Sequence, residues 1–164
     1  MDTIKFSIEE YVDEEFGFHF PTINIYINGI NLLDMVRQVE HDFRNPLEGG
    51  KLSRQSYVGL CPDYRQDFAD EFLGRTNRHV STLLTCTCME ELCNSIVAKI
   101  TLDSSMVVWS EIRNPFLSVK SGLWKTIDGA EYAVGYPIDY SELGPFVFDR
   151  HQYLEALEQL VSGK

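Results

Sequence analysis

Apolar and polar residues alternate along the first 27 positions of the chain. The alternating apolar positions form three groups: Ile4, Phe6 and Ile8; Phe16, Phe18 and Phe20; and, after Pro21, Ile23, Ile25 and Ile27. A period of two residues is typical of a strand with one buried and one exposed face. The pattern therefore predicts a strand for each group, and it places the acidic stretch at residues 13–15 at the tip or the flank of a hairpin.

Three other segments carry apolar residues three and four positions apart, which is the spacing of one face of a helix. The segments are Leu32, Val36, Val39 and Phe43; Tyr64, Phe68 and Phe72, after Pro62; and Tyr153, Leu157, Leu160 and Val161. Asn31 can cap the first helix, and Gly74 stands where the second would end. Asp149 and Gln152 fit a capping box at the start of the third helix, and Gly163 follows its end.

Further strands are predicted in the second half of the chain. Alternation over residues 96–102, a turn signal at 103–105 and a return run at 106–109 together predict a hairpin. A weaker alternation over residues 132–136 and the apolar run 146–148 predict one or two more strands. Hairpins with helices at intervals predict an α+β fold. We expect a single domain over residues 1–164, with about three helices packed on a mostly antiparallel sheet.

The size and composition of the chain fit one folded domain. Its 164 residues are 44% hydrophobic, and a chain of this length buries about 70% of the surface that its extended form exposes. No uncharged apolar run approaches the roughly 18 residues of a membrane span, and the N-terminal sequence lacks the basic and apolar parts of a signal peptide. We therefore expect a soluble, cytoplasmic protein.

The chain is strongly acidic, with 14 Lys and Arg against 25 Asp and Glu and a formal net charge of −11. Six acids and one lysine lie in residues 1–20, and seven acids and three bases lie in residues 121–164. Such a surface repels the phosphates of nucleic acids and attracts basic proteins. The competing interpretation is that the charge only keeps the protein soluble.

No short catalytic signature occurs in the sequence. GxSxG, GxxxxGK followed by Ser or Thr, HExxH, GxGxxG and an EF-hand loop are all absent. The four histidines are isolated from one another, and adjacent acids such as Glu14 and Glu15 would point to opposite faces of a strand rather than meet in a cleft. The sequence therefore predicts no catalytic residue, and it leaves open an enzyme of a class that has no short signature.

Three of the four cysteines are close together in sequence. Cys86, Cys88 and Cys93 follow the spacing CxCxxxxC, and Cys61 is more distant. Thiolates are good zinc ligands, but structural zinc sites need four ligands and usually contain CxxC pairs, and only Cys61 or His79 could complete this set. Reduced, partly buried thiols are the interpretation that we favour. A metal-binding or regulatory module built on these cysteines is the alternative function.

The second half of the chain resembles a set of small acidic bacterial cytosolic proteins. The shared features are a leucine pair, a CxC, a further cysteine and a GPFxFD segment that leads into a short helix. Here they are Leu83, Leu84, Cys86, Cys88, Cys93 and residues 144–149, with Met89 where the set has glycine. In size, acidity and lack of catalytic motifs, the chain also resembles the immunity proteins of bacterial contact-dependent growth inhibition systems. That resemblance implies a protein that binds and blocks a cognate toxin domain, often a basic nuclease.

The charge and the resemblance together predict a non-enzymatic inhibitor of a basic toxin domain. Its acidic surface would occupy the active site of the toxin at the place where substrate phosphates bind. The residues predicted to contact the toxin are Glu9, Glu10, Asp13, Glu14 and Glu15 near the N-terminus and Asp139 and Glu142 near the C-terminus. We expect no cofactor, no metal, and no direct contact with nucleic acid or a membrane.

Overall fold

A computed structural model describes residues 1–14, 16–41, 57–76, 80–86, 95–115, 124–127, 130–133 and 138–163 of the chain. Within these residues the chain forms ten β-strands and three α-helices. Every pair of neighbouring strands in the described sheets is antiparallel. The predicted α+β fold with three helices on antiparallel sheet is therefore confirmed.

The first sheet is a long N-terminal hairpin with a short third strand. Its strands are β1 (Ile4–Val12), β2 (His19–Ile27) and β3 (Ile30–Asn31), in the order β1-β2-β3. The register of β1 on β2 runs from Ile4 opposite Ile27 to Val12 opposite His19. Strand β2 contains Phe20 of the second predicted group and the whole third group at residues 23–27. The two groups predicted as separate strands therefore do not form separate strands.

Pro21 lies inside β2 instead of ending a strand, which corrects the prediction that a new strand starts after it. The backbone N–H of Ile23 points away from β1 and donates to the carbonyl of Leu60 at 2.6 Å. Pro21 lies two residues earlier on the strand, so its nitrogen has the same orientation. Its missing N–H therefore costs no hydrogen bond to β1, and the strand continues through the proline.

Helix α1 (Leu32–His41) follows β3 directly. The side chain of Asn31 accepts a hydrogen bond from the backbone N–H of Leu33 at 3.0 Å, as the predicted cap requires. Leu32 and Val36 are fully buried and attach the helix to the core. The predicted stripe also included Phe43, which lies outside the described residues.

The second sheet contains five strands in the order β10-β7-β6-β5-β4. The strands are β4 (Tyr57–Val58), β5 (Ser81–Cys86), β6 (Ile96–Leu102), β7 (Met106–Arg113) and β10 (Phe146–Asp149). The predicted hairpin over residues 96–109 is confirmed as β6 and β7. A separate pair, β8 (Trp124–Ile127) and β9 (Ala130–Ala133), includes the start of the weak alternation predicted over residues 132–136, and residues 134–137 lie outside the described residues.

Helices α2 (Arg65–Phe72) and α3 (Arg150–Ser162) complete the fold. A 3₁₀ turn at Pro62–Tyr64 precedes α2, and Tyr64 is exposed, although the predicted stripe placed it with Phe72 in the core. Asp149 caps α3, because its side chain accepts a hydrogen bond from the N–H of Gln152 at 3.0 Å. Both predicted helices are confirmed, and none of the helices described is long and apolar enough to cross a membrane.

The centre of the core is an aromatic cluster around Trp109 of β7. The Trp109 ring packs edge-on against Phe148 and Tyr153, with ring centroids 5.4 Å and 6.1 Å away, and it also contacts Phe72 of α2. Its indole N–H donates to the Tyr153 hydroxyl at 3.1 Å, and that hydroxyl donates to the carbonyl of Phe72 at 2.8 Å. These contacts hold α2 and α3 on the second sheet, and Phe6 of β1 stacks on Phe72 from the first sheet.

Two isolated bridges join the two sheets at their edges. Asp2, just before β1, pairs with Phe148 of β10, and Ile23 of β2 pairs with Leu60, just after β4. Gly59 is required beside the second bridge, because a Cβ atom there would lie 2.2 Å from the carbonyl oxygen of Ile23. The bridges make the strand connections circular, so that the N-terminal hairpin is anchored at its base on both sides.

Candidate functional site

The N-terminal hairpin is buried at its base and exposed at its far end. On one face of β1, Ile4 and Phe6 belong to the core, whereas Ile8 is 41% exposed and Val12 is 58% exposed. We call the described residues between Ile8 and Phe20 the hairpin end. It extends about 13 Å from Ile8 to Val12, since four residues of a strand rise by roughly 3.3 Å each. The far end of the hairpin thus presents apolar side chains to water.

Four aromatic side chains form a continuous row on the hairpin end. Tyr11 and Phe20 are cross-strand partners with ring centroids 5.1 Å apart, Phe18 stacks on Phe20 at 5.9 Å, and Phe16 stacks on Phe18 at 6.4 Å. Phe16 is 74% exposed and Phe18 is 43% exposed. We call these four residues the aromatic row. Exposed apolar groups placed side by side in this way are typical of a surface that another molecule covers.

The turn of the hairpin fixes the position of the aromatic row. The Asp13 carboxylate accepts a hydrogen bond from the N–H of Phe16 at 2.8 Å, and the Asp13 N–H donates to the carbonyl of Phe18 at 2.9 Å. Gly17 has a φ of 73°, a conformation that L side chains rarely adopt. Phe16 and Phe18 therefore lie in an ordered turn beyond the paired strands, which is why they are exposed rather than buried as their alternation predicted.

The structure separates the predicted N-terminal contact residues by their environment. Glu10 and Glu14 are exposed, and Glu10 pairs with the imidazole of His19. Glu9 lies on the opposite face of β1, half-buried, where its carboxylate accepts hydrogen bonds from the Tyr26 hydroxyl at 2.7 Å and from Asn24 at 3.2 Å. The bond to Glu9 raises the pKa of Tyr26. Glu9 is therefore committed to contacts within the sheet.

The other predicted contact residues have different positions. Asp13 organises the turn, and Glu15 lies outside the described residues. Asp139 and Glu142 are exposed in the segment before β10, and Asp139 accepts a hydrogen bond from the N–H of Ser141 at 2.9 Å, which lowers the pKa of its carboxyl group. Of the seven predicted acids, Glu10 and Glu14 are the two seen both exposed and on the hairpin end.

A cavity of about 410 Å³ lies between the end of β7 and the segment before β10. Residues 110–113, 138–141 and 143–145 line it, among them Asp139 and Tyr140. Its walls are largely apolar, with Ile112 and Leu143 among them. Asp139 therefore lies beside a concave surface, whereas Glu10 and Glu14 lie on the exposed hairpin end.

A buried polar cluster that the sequence did not reveal lies behind this cavity. Glu40, at the end of α1, is 2% exposed, and its Oε2 atom accepts hydrogen bonds from the hydroxyls of Tyr57 and Tyr140, each at 2.7 Å. The side chain of Asn114 donates to the Tyr57 hydroxyl at 2.7 Å. We call these residues the Glu40 cluster. One signal pointed to it: Glu40 lies four residues after Val36, on the apolar face of the helix.

The cysteine hypothesis stays a prediction. Cys61 and Cys86 are half-buried, and Cys88, Cys93 and His79 lie outside the described residues. Across the part of the chain that the structure describes, no three His, Cys, Asp or Glu side chains come close enough together to hold a metal ion. The geometry therefore tests neither the reduced thiols that we favour nor the zinc alternative for Cys86, Cys88 and Cys93.

The hairpin end combines exposed apolar side chains with acidic ones. Its apolar side chains offer area that a partner can remove from water, and Glu10 and Glu14 give the same element a negative charge. A comparison of the chain with protein-family models, with curated proteins and with solved structures finds no match. A proposal for the function therefore has to be argued from the structure itself, and the hairpin end is the surface from which we argue it.

Proposed function

We propose that the chain is a non-enzymatic immunity protein that binds and neutralises a basic toxin domain in the cytoplasm. The observation that carries the proposal is the combination of exposed aromatic and acidic side chains on one ordered hairpin end. Interfaces between proteins are rich in aromatic anchors, and most of their binding energy comes from a few such residues. Phe16 and Phe18 are exposed and add little to the stability of the fold, so contact with a partner is the role that we propose for them.

The charge of the molecule supports a basic partner. The net charge of −11 attracts a positively charged domain over a distance and accelerates its association. In a nuclease, the active site is basic because it binds the phosphates of its substrate. Glu10 and Glu14 fit the role of groups that stand in place of those phosphates, while the aromatic row supplies the desolvated contact.

Co-expression with a toxin tests this proposal. The probe is a basic C-terminal toxin domain from the source strain, expressed in a sensitive host with and without this chain. We expect the chain to restore growth and the two proteins to co-purify in a fixed stoichiometry. Growth arrest in the presence of the soluble chain, without a complex, would contradict the proposal.

A further inference from the structure

We propose that the hairpin end enters a cleft of its protein partner and contacts both walls of that cleft. This inference rests on the proposed function and specifies how the surface is used. A flat docking surface would be apolar on one side of the hairpin and polar on the other. The hairpin end instead exposes apolar side chains on both sides, next to the Glu10–His19 pair on one of them.

The register of β1 on β2 assigns the apolar residues to two faces. Ile8 and Val12 lie opposite Ile23 and His19, on the face that continues the core. Tyr11 lies opposite Phe20, on the reverse face, because successive side chains of a strand alternate. Each face therefore exposes apolar side chains at the same distance from the base. On one face Ile8 and Val12 lie on either side of Glu10, and on the other face the apolar side chains are aromatic.

Phe16 and Phe18 extend the aromatic face beyond the strands. Phe18 stacks on Phe20, and Phe16 stacks on Phe18, so that the row continues from the reverse face of the sheet to the turn. Val12, on the other face, is the last residue of β1. A partner that covers Phe16 on one side and Val12 on the other must surround the turn, and a cleft does this whereas a flat surface does not.

The charge of the same segment selects the kind of partner. Between Ile8 and Phe20 the sequence has five acids and no lysine or arginine. A second copy of this chain would bring those acids against one another, and like charges at an interface cost binding energy. A cleft with apolar walls and a rim of lysine or arginine satisfies both the aromatic row and the acids. The partner is therefore a basic protein rather than a second copy.

Site-specific photo-crosslinking tests the two-sided contact. Four single-site proteins carry p-benzoylphenylalanine in place of Val12, Phe16, Ile30 or Tyr64, and each is irradiated with the basic toxin domain of the co-expression experiment as the probe. Val12 and Phe16 report the two faces of the hairpin end. Ile30 and Tyr64 are matched controls, because each is an apolar or aromatic side chain that is more than half exposed on another element.

We expect crosslinks to the probe from both Val12 and Phe16 and none from the two controls. Crosslinks from one of the two positions alone would overturn the cleft and show a flat contact. Crosslinks between two copies of this chain would overturn the basic partner. A probe that binds but crosslinks from neither position would place the interface elsewhere. A probe that does not bind at all would overturn the proposed function itself.

Affinity measurements provide the second arm of the test. Val12→Ser and Phe16→Ser each remove an exposed apolar side chain, so the folded structure tolerates both. We expect each variant to weaken binding of the probe at least tenfold, because each removes contact area from one wall of the cleft. Tyr64→Ser should leave the dissociation constant unchanged. A loss confined to Phe16→Ser would overturn the two-sided contact.

Discussion

At the scale of single residues, the Glu40 cluster is unusual because it places a carboxyl group in the interior of the protein. Burial raises the pKa of the Glu40 carboxyl group, and the hydrogen bonds from Tyr57 and Tyr140 oppose that rise without cancelling it. No lysine or arginine is among these partners. The cluster joins the end of α1 to β4 and to the segment before β10, so its protonation state contributes to the stability of the whole fold.

The stability of the protein should therefore depend on pH through Glu40. Above its ordinary pKa of 4.5, the unfolded chain releases a proton that folded Glu40 retains. The free energy of unfolding then falls as pH rises through this range, by at most about 1.4 kcal/mol per pH unit. Urea denaturation of wild type and Glu40→Gln at several pH values measures it. The difference between the two proteins should change with pH, and parallel curves would show that folded Glu40 titrates normally.

The two tyrosines of the Glu40 cluster should contribute similarly to stability. The Tyr57 hydroxyl donates to Glu40 and accepts a hydrogen bond from the Asn114 side chain, and the Tyr140 hydroxyl donates to Glu40 and accepts a hydrogen bond from the Asn114 backbone. We expect a loss of about 2 kcal/mol in the free energy of unfolding for each of Tyr57→Phe and Tyr140→Phe, because each removes two hydrogen bonds. Chemical denaturation of both variants at one pH gives the comparison, and an unchanged free energy of unfolding in either variant would contradict this arrangement.

At the scale of elements, periodicity predicted the structure wherever an element has one buried and one exposed face. It predicted β1, the β6–β7 hairpin and all three helices. It did not predict β5, because Ser81–Thr85 are buried on both faces and such a strand shows no alternation. It also misassigned Phe16 and Phe18, since alternation alone does not distinguish a paired strand from a turn with exposed aromatic side chains.

The bridge beside Gly59 should be essential for joining the two sheets. Gly59→Ala places a Cβ atom 2.2 Å from the Ile23 carbonyl oxygen, so the Ile23–Leu60 pairing must open. We expect a loss of about 2 kcal/mol or more in the free energy of unfolding. Gly29→Ala is the control, because it has a positive φ but no atom within 4 Å, and it should cost about 1 kcal/mol. Equal losses would show that the close contact is not the cause.

The aromatic row should contribute little to folding. Phe16 and Phe18 are exposed, so the double variant Phe16→Ser/Phe18→Ser should change the free energy of unfolding by less than about 0.5 kcal/mol. Phe72→Ala, in the buried aromatic cluster, should cost about 3 kcal/mol or more. Urea denaturation of both variants measures this contrast. A large loss from the double variant would mean that these side chains serve the fold rather than a partner.

At the scale of the whole molecule, the sequence indicated an acidic N-terminal region but not the environment of its side chains. The acidic N-terminus was evident from composition, and Glu10 and Glu14 of the predicted set do stand exposed on the hairpin end. The carboxylate of Glu9, however, accepts hydrogen bonds within the sheet. The exposure of the aromatic row was not evident, because its phenylalanines follow the alternation of a half-buried strand. Charge is a property of composition, whereas exposure of an apolar side chain depends on the tertiary structure around it.

The two kinds of side chain on the hairpin end should act on different rate constants of binding. Acids act over a distance, so they raise the association rate and make it depend on ionic strength. Aromatic contacts form on docking, so they slow dissociation. This division of roles links the net charge of −11 to the exposed aromatic row in one mechanism of partner recognition.

Stopped-flow binding to the basic toxin domain used as the probe tests this account most directly, at low salt and at about 0.15 M ionic strength. Glu10→Lys/Glu14→Lys should slow association and flatten its dependence on salt, and Phe16→Ser/Phe18→Ser should accelerate dissociation at least tenfold with little change in association. Wild-type rate constants for both double variants would contradict the assignment of the hairpin end as the surface that binds the toxin.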